Sequence, residues 1–206
     1  MNKQIQFLND VVKPWDELNA LLSKPFAYEP GLNDGTRMAG SLAITINHQW
    51  DFEKPIRDEL NTVCPSTKVM WDIADMVKHH ELRDKKRENR FSLVSAFERN
   101  GNKYKFLRTI IRVIYEDGRE FDFAIEAINA INYWSVKNGL TLPRELKIMM
   151  GTDDFKDSPL LTYNPSKSIA MNSTEIQFFQ KGKNGELVSY VLQNGDDIIF
   201  SFSNIT

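Results

Sequence analysis

Apolar and polar positions follow two rhythms along this chain, and the change comes near residue 90. Before it, apolar side chains recur every three to four residues, the period of an amphipathic helix. After it they alternate, the period of a strand. Phe7, Val11, Leu18, Leu21 and Leu22 predict helix from about Lys3 to Ser23. Pro14 should interrupt that run and start a second short helix, since proline is at home in a first turn. Pro25, Pro30, Gly31 and Gly35 read as a loop. Met38, Leu42, Ala43, Ile46 and Trp50 make one stripe of a helix from Thr36 to Phe52, which Pro55 should stop. Pro65-Ser66-Thr67 opens another helix, with Val69, Met70, Ile73, Met76 and Val77 on its apolar face. The charged run from Arg83 to Arg90 should end it in solvent.

The second half is punctuated by Asn100-Gly101, Asp117-Gly118, Asn184-Gly185 and Asn194-Gly195. Such dipeptides favour tight hairpin turns, because those turns need positive φ. A loop at Asn100-Gly101 sets Phe97 opposite Tyr104 and Glu98 opposite Lys103. One face then carries Phe91, Leu93, Phe97, Tyr104, Phe106 and Ile110; the other carries Val94, Ala96, Leu107, Ile111 and Val113. Both are apolar, so each should be covered. A short strand near Arg119–Phe123 leads into a helix at 122–138, which should bury Ala124, Ala127, Ile128, Ile131 and Trp134 and end at Gly139. Residues 140–174 read as irregular, with a short strand or turn at Leu146–Met150. A second meander comes last, in runs near Glu175–Gln180, Leu187–Gln193 and Asp197–Ser203. The expectation is an α+β fold: a helical part at 1–90, then antiparallel β-meanders with one long covering helix at 91–206, the whole forming one compact unit.

Charge and composition narrow the function classes. The 206 residues suit one domain or two small ones. A net charge of -2 gives no basic field for nucleic acid. The one basic cluster, Lys85, Lys86, Arg87 and Arg90, is interleaved with Asp84 and Glu88. No apolar run approaches the roughly 20 residues that cross a bilayer. The N-terminal residues lack the look of a signal peptide, and the single Cys64 cannot form an internal disulfide. A cytoplasmic protein that engages no membrane is the expectation. No Walker-A loop, Gly-x-Gly-x-x-Gly, Gly-x-Ser-x-Gly or His-Glu-x-x-His occurs, so no cofactor and no metal is expected.

The densest chemistry lies at Asp72, Asp75 and His79, spaced i, i+3 and i+7 on one helix face. A carboxylate one turn from an imidazole can raise its basicity for general base work. His48, on the preceding helix with Asp51 beside it, could join that catalytic set. The bland alternative is a solvated face with an Asp–His pair. His80 should continue the Ile73–Met76 stripe and be more buried than His79. Lys78, His80, Arg108 and Arg112 are candidate binding residues. The two arginines share a strand face, where each could instead pair with an internal acid such as Glu120 or Glu126. Cys64, just before a helix start, could have a lowered pKa.

The stretch Asp72-Ile-Ala-Asp75-Met-Val-Lys78-His79-His80-Glu-Leu82 resembles a helix in some uncharacterised bacterial proteins, with the pattern Asp-x-x-(Asn/Asp)-x-x-Lys-His-x-x-Leu. Those proteins also have a strand ending in Asp-Gly before a helix with a late Trp, here Asp117-Gly118 and Trp134. The likeness spans about residues 36–138 and implies a bacterial setting without an activity. A weaker resemblance is to HEPN-type helical ribonucleases, whose active helix places Arg a few residues before a catalytic His. No Arg stands four to six residues before His79 or His80 here. Two functions are carried forward. The first is a non-catalytic interaction or accessory protein of a bacterial or phage system, bound to a partner or to itself. Its support includes a C-terminal meander rich in Phe178, Phe179, Tyr190, Phe200 and Phe202. The second is a nuclease or other hydrolase, with or without a metal, using the His79 helix.

Overall fold

The computed structural model describes residues 2–25, 31–49, 62–151, 154–163, 175–193 and 198–204. Trp50, Asp51, Phe52, Pro55, Pro30 and the Asn194-Gly195 turn lie outside the described residues. The fold is α+β, helices first and strands after.

Helix α1 (Lys3–Phe7) is capped by Asn2, whose side chain accepts the Gln4 N–H at 2.9 Å. Helix α2 (Lys13–Leu22) does not restart at Pro14 after a break. A π-turn at Leu8–Val12 joins the two. Proline lacks an N–H and its ring crowds the carbonyl four residues back. The wider turn, in which the Lys13 N–H reaches the Leu8 oxygen, relieves that crowding while the chain stays helical. Helix α3 (Gly31–Asn47) begins earlier than its apolar stripe suggests and takes in both glycines read as loop. Glycine costs a helix interior only about 1 kcal/mol. A third glycine, Gly40, lets α3 meet α4 (Pro65–His79) closely: a Cβ there would sit 2.9 Å from Val77 Cγ2.

Strands β1 (Asn89–Asn100) and β2 (Lys103–Tyr115) form the first hairpin. Its loop is Gly101-Asn102, with Gly101 at φ 60°, and not Asn100-Gly101. Phe97 consequently packs on Phe106, ring centroids 5.5 Å apart, instead of standing opposite Tyr104. Sliding the loop by one residue moves each cross-strand partner by two, so every side chain keeps its expected face. Strand β3 (Glu120–Asp122) pairs antiparallel with β2 after a turn in which Gly118 has φ 86°. Helix α5 (Phe123–Lys137) starts under an Asp122 cap. It ends with Gly139 at φ 62° donating to Val136 and Leu140 donating to Ser135, the paired bonds of a left-handed C-terminal cap.

Strand β4 (Leu160–Tyr163) follows, then β5 (Glu175–Lys181), β6 (Leu187–Tyr190) and β7 (Ser201–Asn204). The main sheet runs β3-β2-β1-β5-β6. The antiparallel expectation holds within β1-β2-β3 and within β5-β6, but β5 lies parallel to β1, with Phe178 beside Phe97. Strand β7 leaves the expected meander and pairs parallel with β4. Turn dipeptides fix direction only across short loops; strands joined by long connections carry no such local signal. Leu146–Met150 takes no strand. Beyond it, Gly151 donates to Leu107, and Lys156 exchanges two hydrogen bonds with Tyr104, at 2.7 and 2.8 Å.

The chain clusters into two units, through both of which β1 and β2 run. Unit 1 is Met1–Asn19, Thr36–Phe91 and Ile111–Ile148; Phe7, Trp15, Leu18, Leu42, Ile46, Met70, Ile73, Ile131 and Trp134 are buried in it. Unit 2 is Ala20–Gly35, Ser92–Ile110 and Met149–Thr206. Its core is Phe97, Tyr104, Phe106, Leu161 and Phe178, with Tyr190, Ile198 and Phe200 against it. Among the described residues no helix is long and apolar enough to cross a membrane.

Candidate functional site

The acidic face of α4 turns inward. Asp72 is 2% exposed, not solvated. The charged run after the helix does not simply dissolve into solvent either. Asp84 accepts the Lys86 N–H and starts a single 3-10 turn, Lys85–Arg87, that aims Arg87 back at the helix. Arg87 Nε donates to Asp72 Oδ1 at 2.6 Å, and its Nη2 to Asp75 Oδ2 at 2.5 Å. Its guanidinium lies 6.0 Å from the Trp71 ring centre. The Tyr115 hydroxyl donates to the other Asp72 oxygen at 3.2 Å. Arg119 stacks on the Tyr115 ring at 4.4 Å and holds Asp117. Lys85 bridges Glu81 and Glu88, and Glu88 accepts the Leu82 N–H at 2.9 Å.

These contacts set the electrostatics. Burial pushes the Asp72 carboxyl above the ordinary aspartate value, against the pull of the Arg87 hydrogen bond and charge. Burial and the Asp72 charge push the Tyr115 hydroxyl up, so it stays a donor. The Lys85 hydrogen bond lowers Glu88, and the Arg119 hydrogen bonds lower Asp117. Burial raises the Cys64 thiol, the opposite of the lowering expected beside a helix start.

The expected catalytic set is therefore not assembled. Asp72 and Asp75 are held by Arg87, and among the described residues no hydrogen bond joins Asp75 to His79. His79 is exposed at the end of α4. His80 is exposed too, contrary to its helical phase. It leaves the helix at φ 58°, its N–H on the Met76 carbonyl, and swings off the apolar stripe. Replacing His80 with Gly should raise stability by about 0.5–1 kcal/mol, because that conformation penalises a side chain. Urea denaturation measures it; a loss would show that the imidazole holds something. His48 meets Lys78, not His79: the ammonium lies 3.4 Å from Nε2 and can only donate to it. Arg112 pairs with Glu120 at 3.4 Å, as its bland reading expects, and Arg108 is buried in β2. Among the described residues, no three His, Cys, Asp or Glu side chains converge as a metal would require.

Comparison of the chain with protein-family models, curated proteins and solved structures finds no match.

A different feature is open to a partner. Strand β6 is the last strand of the main sheet. Leu187 and Val188 are exposed on it, and so are Val191 and Leu192 just past its end, Val191 by 78%. Of the aromatic residues in the C-terminal run, Phe178, Tyr190 and Phe200 pack in the unit 2 core. The sequence signal for the edge was the uncharged run Leu187-Val-Ser-Tyr-Val-Leu-Gln193, with no Lys, Glu or Pro in it.

Proposed function

We propose that this protein is a non-catalytic interaction or accessory protein that binds another chain along the outer edge of β6. The observation that carries the reading is that edge itself. Sheets usually protect an outer strand with lysine, proline or a covering segment. Leu187–Gln193 has none of those residues, and among the described residues no further strand joins the sheet beyond β6. An exposed apolar strand edge is suited to strand addition by a partner. The resemblance of the Asp72–Leu82 helix to bacterial proteins favours a bacterial or phage system as its setting. The acids of that helix support the reading from the other side, because Arg87 engages both.

A photo-crosslinking amino acid placed at Leu187 in living cells tests it. The expected result is an adduct with a protein chain, lost on Ser189→Pro. No adduct at Leu187, or the same adduct from a probe at the exposed Val136 on α5, overturns it. His79→Ala should melt as wild type does and keep the Leu187 adduct. Loss of the adduct in that variant, with the fold intact, would move the site to the α4 end.

A further inference from the structure

We infer that the chain which pairs with β6 is the β6 of a second copy, running antiparallel and centred on Ser189. This rests on the reading of β6 as the binding edge and names its partner.

The direction of the backbone groups comes first. At the mouth of the β5–β6 hairpin the Gly182 N–H donates to the Glu186 carbonyl at 2.7 Å. Hydrogen-bonded pairs alternate along an antiparallel ladder. The register sets Gln180 opposite Val188 and Phe178 opposite Tyr190. The backbone groups of Val188 and Tyr190 thus turn toward β5, and those of Leu187 and Ser189 turn away from it. Val191 is the first residue past the end of β6, and a partner strand that extended β6 by one residue would turn it outward by the same alternation. Leu187 and Ser189 therefore face outward in β6, and extension by one residue adds Val191, which makes the set symmetric about Ser189.

Side-chain chemistry has the same symmetry. Leu-Val-Ser-Tyr-Val reads apolar, apolar, polar, apolar, apolar in either direction. A two-fold axis at Ser189 puts Leu187 opposite Val191, Val188 opposite Tyr190, and each Ser189 opposite the other. Two-fold contacts require such self-complementarity. No like charges meet, because Leu187–Gln193 carries none and Glu186 falls opposite Leu192. The exposed Leu187 and Val191 become cross-strand neighbours, and the sheet continues from one copy into the next.

Light scattering on purified protein at micromolar concentration should give twice the chain mass of 23.9 kDa. Ser189→Pro should give the single mass with wild-type circular dichroism, since the amide it removes points away from β5. If that variant does not fold, Leu187→Lys with Val191→Lys replaces it and should also be monomeric. A wild-type monomer, or a dimer that survives the folded edge variants, overturns the self-pairing. The mass of the Leu187 adduct in cells separates the two ideas. A monomeric protein that still crosslinks there to a chain of another mass loses this inference and keeps the edge reading.

Discussion

Arg87→Ala is expected to lower stability by about 3 kcal/mol at neutral pH, and the loss should shrink as the pH falls. The substitution leaves the Asp72 carboxylate buried without its cation, and breaking a buried pair from one side costs about 3–5 kcal/mol. The lower figure applies because the Arg87 side chain is still 24% exposed. The pH dependence follows from the direction of the Asp72 shift. Its pKa already stands above the ordinary value, and removing Arg87 removes the main influence holding it down. A carboxyl that is less acidic folded than unfolded favours the fold at low pH. That contribution is lost as the pH rises through the folded value. Urea unfolding of wild type and variant should therefore differ most near neutrality and least in the acid range. Adding Asp72→Asn to Arg87→Ala should recover part of the loss. An equal loss at every pH, with no recovery, would mean that Arg87 acts by packing on Trp71 instead.

Trp134→Ala should cost about 3–5 kcal/mol, the usual range for truncating a buried Trp. Trp134 is 2% exposed and lies with Ala127, Ala130 and Ile131 on the buried side of α5. For a chain of this size that lowers the melting temperature by about 10 °C. A fall of a degree or two would put the indole outside the core.

Elements set by local chemistry were legible in the sequence. The 3.6-residue stripes located α2 and α4, Asp117-Gly118 and Asn184-Gly185 located their turns, and Gly139 located the end of α5. What depended on distant residues was not legible. Nothing near Glu175 announces that β5 will lie parallel to β1, or that β7 will seek out β4. The fate of the Asp72–Asp75 face was hidden for the same reason. Its partner Arg87 sits in a run whose composition reads as solvent-exposed, and only the Asp84-capped turn aims it inward. His80 was misplaced because helical phase assumes that the helix continues. The candidate edge was half visible: the run Leu187–Gln193 shows its lack of charge, but not which of its backbone groups face outward.

Amide hydrogen exchange along β6, resolved residue by residue in the purified protein, bears most directly on whether its outer edge is a pairing edge. A lone edge strand protects alternate amides only. Pairing across Ser189 predicts slow exchange at Leu187 and Ser189 as well as at Val188 and Tyr190. Protection at Val188 and Tyr190 alone, with Leu187 and Ser189 exchanging as freely as an unfolded chain, would contradict it.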